Sequence, residues 1–506
     1  MELTVQNARR LEPPAGRSVV TMMLFGLILI AWLGEWPPTI DTVMYNNTWR
    51  SFFVELAPLF TPVPGISLFP WQLLLIALVP FCIGAASGVR VHSRELDRAI
   101  LVSIACIAVT FLWGFARGGS AYYAYYQLWR FLTALLIAYV FMSALRSPRD
   151  LVGLGKIVIA TGLVRATLCI YVYWTQVHDK IFPLPEYVTD HDDSMLFAAA
   201  ILTSFIWALF KGGKLTWLTT AVVVSYEVYA IILNTRRIAW VELVLALVLI
   251  YFLLGPGPTR SVINRWAKWA APVVVIYFIA GLGSNSPMFA PVHALTTTGS
   301  DYDPSSLTRQ EEARNLLHTL VNSGNPIFGT GWGIPYDLVE HYWSNYSANW
   351  VLVQYTPHNS LLGLAAFSGL VGIIGIWGVM PVGAYLAARG YRGSTDVIPK
   401  VAALVALGCL ATYSAHCYGD IGLQSFQGVV MFGLALAVAG KTAAWSAARP
   451  LAQSVTARAG PEPRPSWRKG GAPRGRSGSA AKHIVARGGG DVPAGPKRPP
   501  PRPLSR

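Results

Sequence analysis

Long apolar runs recur along almost the whole chain, each close to the roughly 20 residues that a helix needs to cross a hydrocarbon core of about 30 Å. Within these runs polar residues do not alternate with apolar ones, which excludes a membrane β-barrel. We therefore predict an all-α fold, a polytopic bundle of about twelve transmembrane helices. The predicted spans lie near residues 18–36, 67–87, 99–116, 131–145, 151–173, 194–210, 215–233, 238–254, 267–283, 359–387, 401–415 and 424–440.

Basic residues are concentrated in every second connection between these spans. The positive-inside rule places such connections in the cytoplasm, and the two chain ends fall on the same side, so both termini are predicted to be cytoplasmic. The basic residues in these connections are Arg90, Arg94, Arg98, Arg146, Arg149, Lys211, Lys214, Arg260, Arg265, Lys268, Arg389, Arg392 and Lys400.

Five segments follow from this topology. Residues 1–17 form a cytoplasmic N-terminus, 18–283 hold the first nine helices, 284–358 form one large periplasmic loop, 359–445 hold the last three helices, and 446–506 form a cytoplasmic tail. The first run follows basic residues, as a signal peptide does. It is long and lacks a small-residue cleavage site, so we expect an uncleaved first helix.

Composition separates the tail from the rest of the chain. Hydrophobic residues make up 53% of the 506 positions and charged residues only 13%, which excludes an ordinary soluble protein. The net charge is +15, and residues 449–506 carry 13 Lys and Arg against Glu462 and Asp491, a net +11. This Pro-, Gly- and Arg-rich tail is predicted to be disordered. Contact with anionic lipid, nucleic acid or an acidic partner is one interpretation, but a solvated cytoplasmic tail explains the charge more simply, and we predict no nucleic-acid partner.

The large periplasmic loop holds most of the polar chemistry. Its stretch Ser306–Asn322 mixes leucines with charged residues, which predicts an amphipathic helix lying on the membrane or on the bundle. Tyr and Trp residues crowd the rest of the loop, as expected at a membrane interface, although aromatic faces also suit sugar stacking.

A pair of arginines, Arg236–Arg237, adjoins a short connection on the predicted periplasmic side, where the positive-inside rule predicts few basic residues. Snorkelling to the interface explains one arginine better than an adjacent pair. Charges at membrane depth are functional candidates, and arginine forms fork-like contacts with phosphate. We predict that this pair binds an anion.

Further candidates lie in the large loop and at its end. Arg309 and Arg314 stand on the predicted helix, and the glycine-rich run after Pro326 includes Gly329 and Gly331, where positive φ and close approach to a ligand are possible. His358–Asn359 lies where the loop enters the next span. A histidine there could simply cap the helix, or could take a proton from an attacking hydroxyl.

An acidic run offers the alternative of a metal. Asp190, His191, Asp192 and Asp193 are possible ligands, but adjacent acids in a loop are more often solvated charge, so we predict neither a metal nor a cofactor. Several charged residues lie in or beside spans and are expected to form buried pairs without an assigned role. They are Glu35, Arg117, Arg130, Arg165, Glu227, Glu242 and Asp420.

The order of these features resembles the O-antigen ligase family, which includes polysaccharide polymerases. The matching pattern is Thr235–Arg236, then Arg309, then Pro326 with Gly329 and Gly331, then His358–Asn359 with Gly369 and Gly372. The resemblance implies that Arg236 and Arg309 grip the pyrophosphate of an undecaprenyl-linked glycan, that His358 assists the acceptor hydroxyl, and that no metal is needed. The doubled Arg236–Arg237 and the choice between Arg309 and Arg314 leave open which arginine meets phosphate.

The resemblance implies a glycosyltransferase of the bacterial inner membrane, with a lipid-linked glycan donor and membrane lipids as partners. The acceptor is lipid A–core for a ligase, which we favour, or a growing glycan for a polymerase. A polysaccharide transporter or flippase is the rival from another class, but the chain shows no internal repeat with broken helices at the midplane. A non-catalytic scaffold is a third alternative, and it predicts that the candidate residues tolerate alanine.

Overall fold

A computed structural model describes residues 21, 25–26, 28, 60–63, 66–68, 70–86, 93–180, 188–190, 192–284, 289, 292, 296, 304–339 and 354–458. Two short antiparallel strands, β1 (Phe60–Val63) and β2 (Ile66–Leu68), precede the helices. The helices are α1 (Pro70–Ala86), α2 (Arg94–Ala116), α3 (Ala121–Ala144), α4 (Pro148–Val172), α5 (Asp193–Lys211), α6 (Lys214–Leu233), α7 (Ile238–Leu253), α8 (Pro258–Leu282), α9 (Pro304–His318), α10 (Ser360–Leu370), α11 (Val379–Gly393), α12 (Val397–Gly419) and α13 (Phe426–Arg458).

The helices confirm the predicted helical membrane bundle. Every predicted span from 67–87 onward coincides with a helix, and within the described part of the chain nine helices are long and apolar enough to cross a membrane. The helical stretches Gln72–Cys82 and Ile238–Leu253 are apolar but shorter. The first predicted span, 18–36, lies almost entirely outside the described residues. The count of twelve and the side of the membrane on which the loop lies therefore stay predictions.

Helix α12 is the centre of the bundle and packs against α4, α5, α7, α10 and α11. Its residues Leu404 and Tyr413 are fully buried, whereas α8 exposes Val273 and Val274 along its outer surface. An apolar side chain exposed on a spanning helix is solvated by lipid chains, and the backbone groups are satisfied within the helix. The bundle is thus organised as a membrane protein, with small and apolar residues at its centre.

One end of the bundle gathers the loop elements, and we call it the loop end. The helices α3, α5, α7, α10 and α13 begin there, and α2, α4, α6 and α12 end there. Helix α9 is bonded to the start of α10 at this end. The short basic connections lie at the opposite end because the helices alternate in direction.

Helix α10 is kinked at Gly369, and the glycine-rich turn that follows α9 fills the kink. Gly369 has a φ of +56°, which breaks the helical ladder. The N–H groups of Leu370 and Val371 donate instead to the carbonyls of Pro326 and Ile327, at 2.9 and 3.0 Å. A π-helical turn, Val371–Ile376, follows. Insertion of another segment into the hydrogen-bond ladder is a recognised cause of helix kinks.

The predicted helix over Ser306–Asn322 corresponds to α9 and a π-helical turn, Thr319–Ser323. The predicted tail begins at residue 446, but α13 continues to Arg458. The alanine, leucine, arginine and glutamine residues of that stretch are good helix formers, whereas Pro450 within it is not. Residues 459–506 lie outside the described part of the chain.

Candidate functional site

His358 is bonded to a buried carboxylate, Glu312, on helix α9. The Nδ1 atom of His358 lies 3.2 Å from Oε1 of Glu312, and the backbone N–H groups of His358 and Asn359 donate to Oε2 at 2.9 and 3.3 Å. The Glu312 side chain is 5% exposed and that of His358 is 33% exposed. Because a carboxylate only accepts, we assign the imidazole proton to Nδ1. The Nε2 atom is then a free base on the open side of the ring.

Asn359 begins helix α10 as its N-cap. Its side-chain oxygen accepts from the N–H of Leu362 at 2.9 Å, as a capping asparagine does. The predicted substrate contact of Asn359 therefore has a structural alternative. The cap fixes the start of α10 and, with it, the backbone that carries His358.

Helix α9 also carries the two candidate arginines of the loop. Arg309 is half-buried one turn before Glu312, and Arg314 is exposed. The charge of Arg309 acts on His358, which places this arginine at the histidine site. Arg309 is therefore coupled electrostatically to the histidine.

The electrostatic surroundings of His358 act in both directions. Burial lowers its pKa, whereas the hydrogen bond and charge of Glu312 and the charge of Asp420 raise it, and Arg309 lowers it slightly. The net effect raises the pKa above the ordinary value of 6.5. A histidine with a raised pKa is a stronger base once deprotonated.

Arg236 is the buried member of the arginine pair. Its guanidinium forms an ion pair with Asp420, which follows α12, and its side chain is 9% exposed. Arg237, the next residue, is exposed. The turn that carries the arginine pair is fixed by Asn234, whose side-chain oxygen accepts from the N–H groups of Val188 and Thr189 at 2.9 and 3.0 Å. The backbone thus directs one arginine inward and the other outward.

The segment 420–424 joins Arg236 to the histidine. Ser360, two residues after His358, donates through its hydroxyl to the carbonyl of Asp420 at 3.2 Å and accepts from the N–H of Leu423 at 3.2 Å. Asp420 therefore contacts Arg236 with its side chain while its backbone contacts the start of α10. The structure brings Arg236, Arg309 and His358 together at the loop end, although they are far apart in the sequence.

Gly329 and Gly331 are buried in close backbone packing. Their φ values are +64° and +93°, and an added Cβ would lie closer than 3.0 Å to the backbone of Phe367 and of Gly114, respectively. The N–H of Gly331 donates to the carbonyl of Phe367 at 2.9 Å. Their predicted contact with substrate stays untested, and the packing alone explains why both positions need glycine.

The sequence model of the O-antigen ligase family matches residues 220–377. Over this segment, the chain is similar to the O-antigen ligase family. The match contains Arg236, Arg309 and His358, whereas Asp420 lies beyond it. None of the curated protein sequences compared with the chain matches it.

Sequence reasoning missed Glu312 as a site residue and left Asp420 without a role. The leucines of α9 suggested its buried face, yet Leu317 is 49% exposed while Glu312 and Asn315 are buried with Leu316. The i, i+3, i+4 spacing of these three residues marks one face of a helix. A buried polar face of that kind is the signal that could have identified Glu312.

Asp192 and Asp193 of the acidic run form internal ion pairs. Arg165 lies 2.7 and 2.6 Å from Asp193 through Nε and Nη2, and His416 lies 3.5 Å from Asp192 and 2.7 Å from Glu242. Within the described part of the chain no group of three or more such side chains is arranged to hold a metal ion, and His191 lies outside that part. The predicted buried pairs of Arg165, Glu242 and Asp420 are therefore present.

Proposed function

We propose that this protein is an inner-membrane glycosyltransferase that moves a glycan from undecaprenyl pyrophosphate to an acceptor hydroxyl on the periplasmic face. The observation that supports it is the convergence of Arg236, Arg309 and the Glu312–His358 pair around the segment 420–424. The family match over residues 220–377 supports the same class of reaction.

The proposed step needs one base and stabilisation of one leaving group. The acceptor hydroxyl oxygen attacks the anomeric carbon of the donor sugar, and its proton passes to Nε2 of His358. The bond between that carbon and the pyrophosphate oxygen breaks, and the pyrophosphate leaves with the electron pair. Arg236 and Arg309 stabilise the charge that develops on it, since fixed guanidinium groups in a water-poor site are effective at this task.

The identity of the acceptor distinguishes a ligase from a polymerase. Transfer to lipid A–core makes the protein an O-antigen ligase, which we favour because one large loop, 284–358, dominates the site face and the connection at 174–193 is small. Transfer to another lipid-linked repeat makes it a polymerase of the same family. Both use the same donor chemistry.

Replacing His358 with alanine in the native host tests the proposal. A ligase variant accumulates lipid-linked polymer without attachment to core, and a polymerase variant leaves single repeats on the surface, as seen on glycan gels. His318→Ala is the matched control, since this half-exposed histidine ends α9 and lies 3.4 Å from Asp337. Normal surface glycan in the His358 variant contradicts the proposal. A build-up of precursor facing the cytoplasm indicates a flippase instead.

A further inference from the structure

Arg130 is a cation at the loop end whose partners are neutral. It lies on α3, half-buried, with its guanidinium 4.9 Å from the ring centre of Trp129 and 5.9 Å from that of Tyr126. Its Nη1 donates to the side-chain oxygen of Gln424 at 3.0 Å, while its Nε is shielded from solvent with no acceptor. Within the described part of the chain it makes no ion pair with a carboxylate. A half-buried guanidinium with neutral partners and one shielded N–H favours an added anion.

Arg130 borders the same segment as Arg236. Gln424, which accepts from Arg130, also donates to the carbonyl of Gln127 at 2.9 Å, and it lies four residues after Asp420, the partner of Arg236. The segment 420–424 is thus bonded to one arginine at each end. Ser360, at the start of α10, is bonded to Asp420 and Leu423 of the same segment.

An apolar groove is lined by Trp129, the residue before Arg130, and runs toward the opposite end of the bundle. It lies between α1, α2 and α3, has a volume of about 580 Å³, and is lined at the loop end by Gln72, Tyr125 and Trp129. At the other end it is lined by Asp97 and Tyr139. From Tyr125 to Tyr139 it follows about 14 residues of α3, or about 21 Å at 1.5 Å per residue. That length is about two thirds of a hydrocarbon core of about 30 Å.

A cationic side chain next to a long apolar groove complements an amphiphile with an anionic headgroup. Trp129 both lines the groove and stacks on Arg130, so the apolar channel and the cation share one side chain. Its lining follows α3 from Tyr125 to Tyr139, a length that suits one linear chain better than the several acyl chains of a glycolipid acceptor. Its apolar lining favours a hydrocarbon, and Arg130 favours an anionic headgroup.

We propose that Arg130 binds the donor pyrophosphate and that the groove holds part of the polyprenyl chain of that donor. This inference rests on the proposed function and adds a fixed place for the donor lipid. The pyrophosphate then lies along the segment 420–424, between Arg130 and Arg236. The anomeric carbon is presented to His358 from that side.

Binding of undecaprenyl pyrophosphate and of geranyl pyrophosphate to the purified full-length protein tests the two parts separately. Arg130→Gln keeps a polar group beside Gln424 and removes the charge, so it weakens both probes by about 10- to 100-fold, the loss expected for one charge-assisted hydrogen bond. Ile104→Trp fills the groove and weakens the long-chain probe at least about tenfold, while the short-chain probe binds as before. Arg130→Lys keeps the charge and loses less affinity than Arg130→Gln.

Matched controls separate these effects from general damage. Lys180→Gln removes an exposed charge at the loop end, and Val244→Trp adds the same bulk to a lipid-facing position that is 60% exposed. Both controls bind the probes as the unaltered protein does. If Arg130→Gln does not fold, Arg130→Lys and Ile104→Trp carry the test, since neither removes the charge.

The outcomes distinguish failure of this inference from failure of the proposed function. Binding by the unaltered protein with undiminished binding by Arg130→Gln and Ile104→Trp overturns the donor site and leaves the transferase intact. No binding of undecaprenyl pyrophosphate to the unaltered protein contradicts both. Displacement of the long-chain probe by lipid A, lost in Ile104→Trp, assigns the groove to the acceptor and overturns the inference.

Discussion

Glu312→Gln is the sharpest test of the histidine as a base, because it changes the charge and the proton position but not the size of the side chain. In the structure Oε2 of Glu312 accepts two backbone N–H groups and Oε1 lies 3.2 Å from Nδ1 of His358. The single oxygen of glutamine must take over the two N–H groups, since only an acceptor fits there. Its NH₂ group then faces Nδ1, which must become an acceptor. The imidazole proton moves to Nε2, and the base is lost.

The size of the effect follows from the role of the base. General base catalysis contributes about 10²–10⁴-fold to a rate. The side chain of His358 is 33% exposed, so water screens its charge interactions and the ring is free to reorient in part. We therefore expect the lower end of the range, a fall of about 10²-fold in kcat, or about 2.7 kcal/mol in the activation free energy.

The pH profile separates a lost base from a damaged fold. A base works in its neutral form, so the rate falls as the pH drops through the pKa of His358. Although burial lowers that pKa, Glu312 raises it, and the acid limb of the unaltered enzyme lies above the ordinary value of 6.5. Removing the charge of Glu312 removes two of the raising effects, and the limb of Glu312→Gln moves to lower pH.

The assay is glycan transfer by the purified protein in lipid nanodiscs, measured between about pH 5 and 9 around the titration of histidine. Glu311→Gln is the control, since it makes the same change at the preceding, half-buried residue of α9. Glu311→Gln should leave kcat and the pH of the acid limb unchanged. A fall in kcat of less than about threefold in Glu312→Gln, with the acid limb unmoved, refutes the assignment, because a working base contributes at least about 10²-fold.

Two further predictions concern the supports of the site. Arg236→Ala removes the ion-pair partner of the buried Asp420 and should cost about 3–5 kcal/mol of stability. The added change Asp420→Ala restores the melting temperature but not transfer, and recovered transfer would reduce Arg236 to a structural role. Gly331→Ala should abolish folded protein in the membrane, whereas Gly118→Ala, with a similar φ of +87° but open space around it, should cost only about 1–2 kcal/mol. Equal melting temperatures for the two glycine variants would show that the backbone packed against Gly331 can move to accommodate a Cβ, which contradicts the prediction.

The helices could be predicted from sequence because their signal is local. A continuous apolar run such as that in α12 has one structural solution in lipid, and each run is read without knowing its neighbours. The positive-inside rule identified the arginine pair for a similar reason, since it needs only the side of the membrane on which a connection lies. It could not tell that Arg236 turns inward and Arg237 outward, which depends on the turn held by Asn234.

The residue pairs that form the site could not be predicted from such local patterns. Glu312 and His358 are 46 residues apart, and Arg236 and Asp420 are 184 residues apart. No periodicity links residues at those separations. The glycines show a related limit: Gly331 was expected to approach a ligand closely, and the structure shows that it approaches the backbone of α2. The sequence predicted close approach but not its partner.

The pairing of Arg236 with Asp420 has a consequence for the pH dependence of the proposed reaction. In the described site, two carboxylates, Glu312 and Asp420, face Arg236, Arg309 and His358, so the charges are nearly balanced before a donor binds. A pyrophosphate that shares Arg236 with Asp420 adds negative charge close to His358. Nearby negative charge favours the protonated imidazole and so raises its basicity. Since the base works in its neutral form, we expect the acid limb of kcat, which reports the donor-bound enzyme, to lie at higher pH than that of kcat/KM, which reports the free enzyme. Coincident acid limbs would contradict a donor charge close to His358.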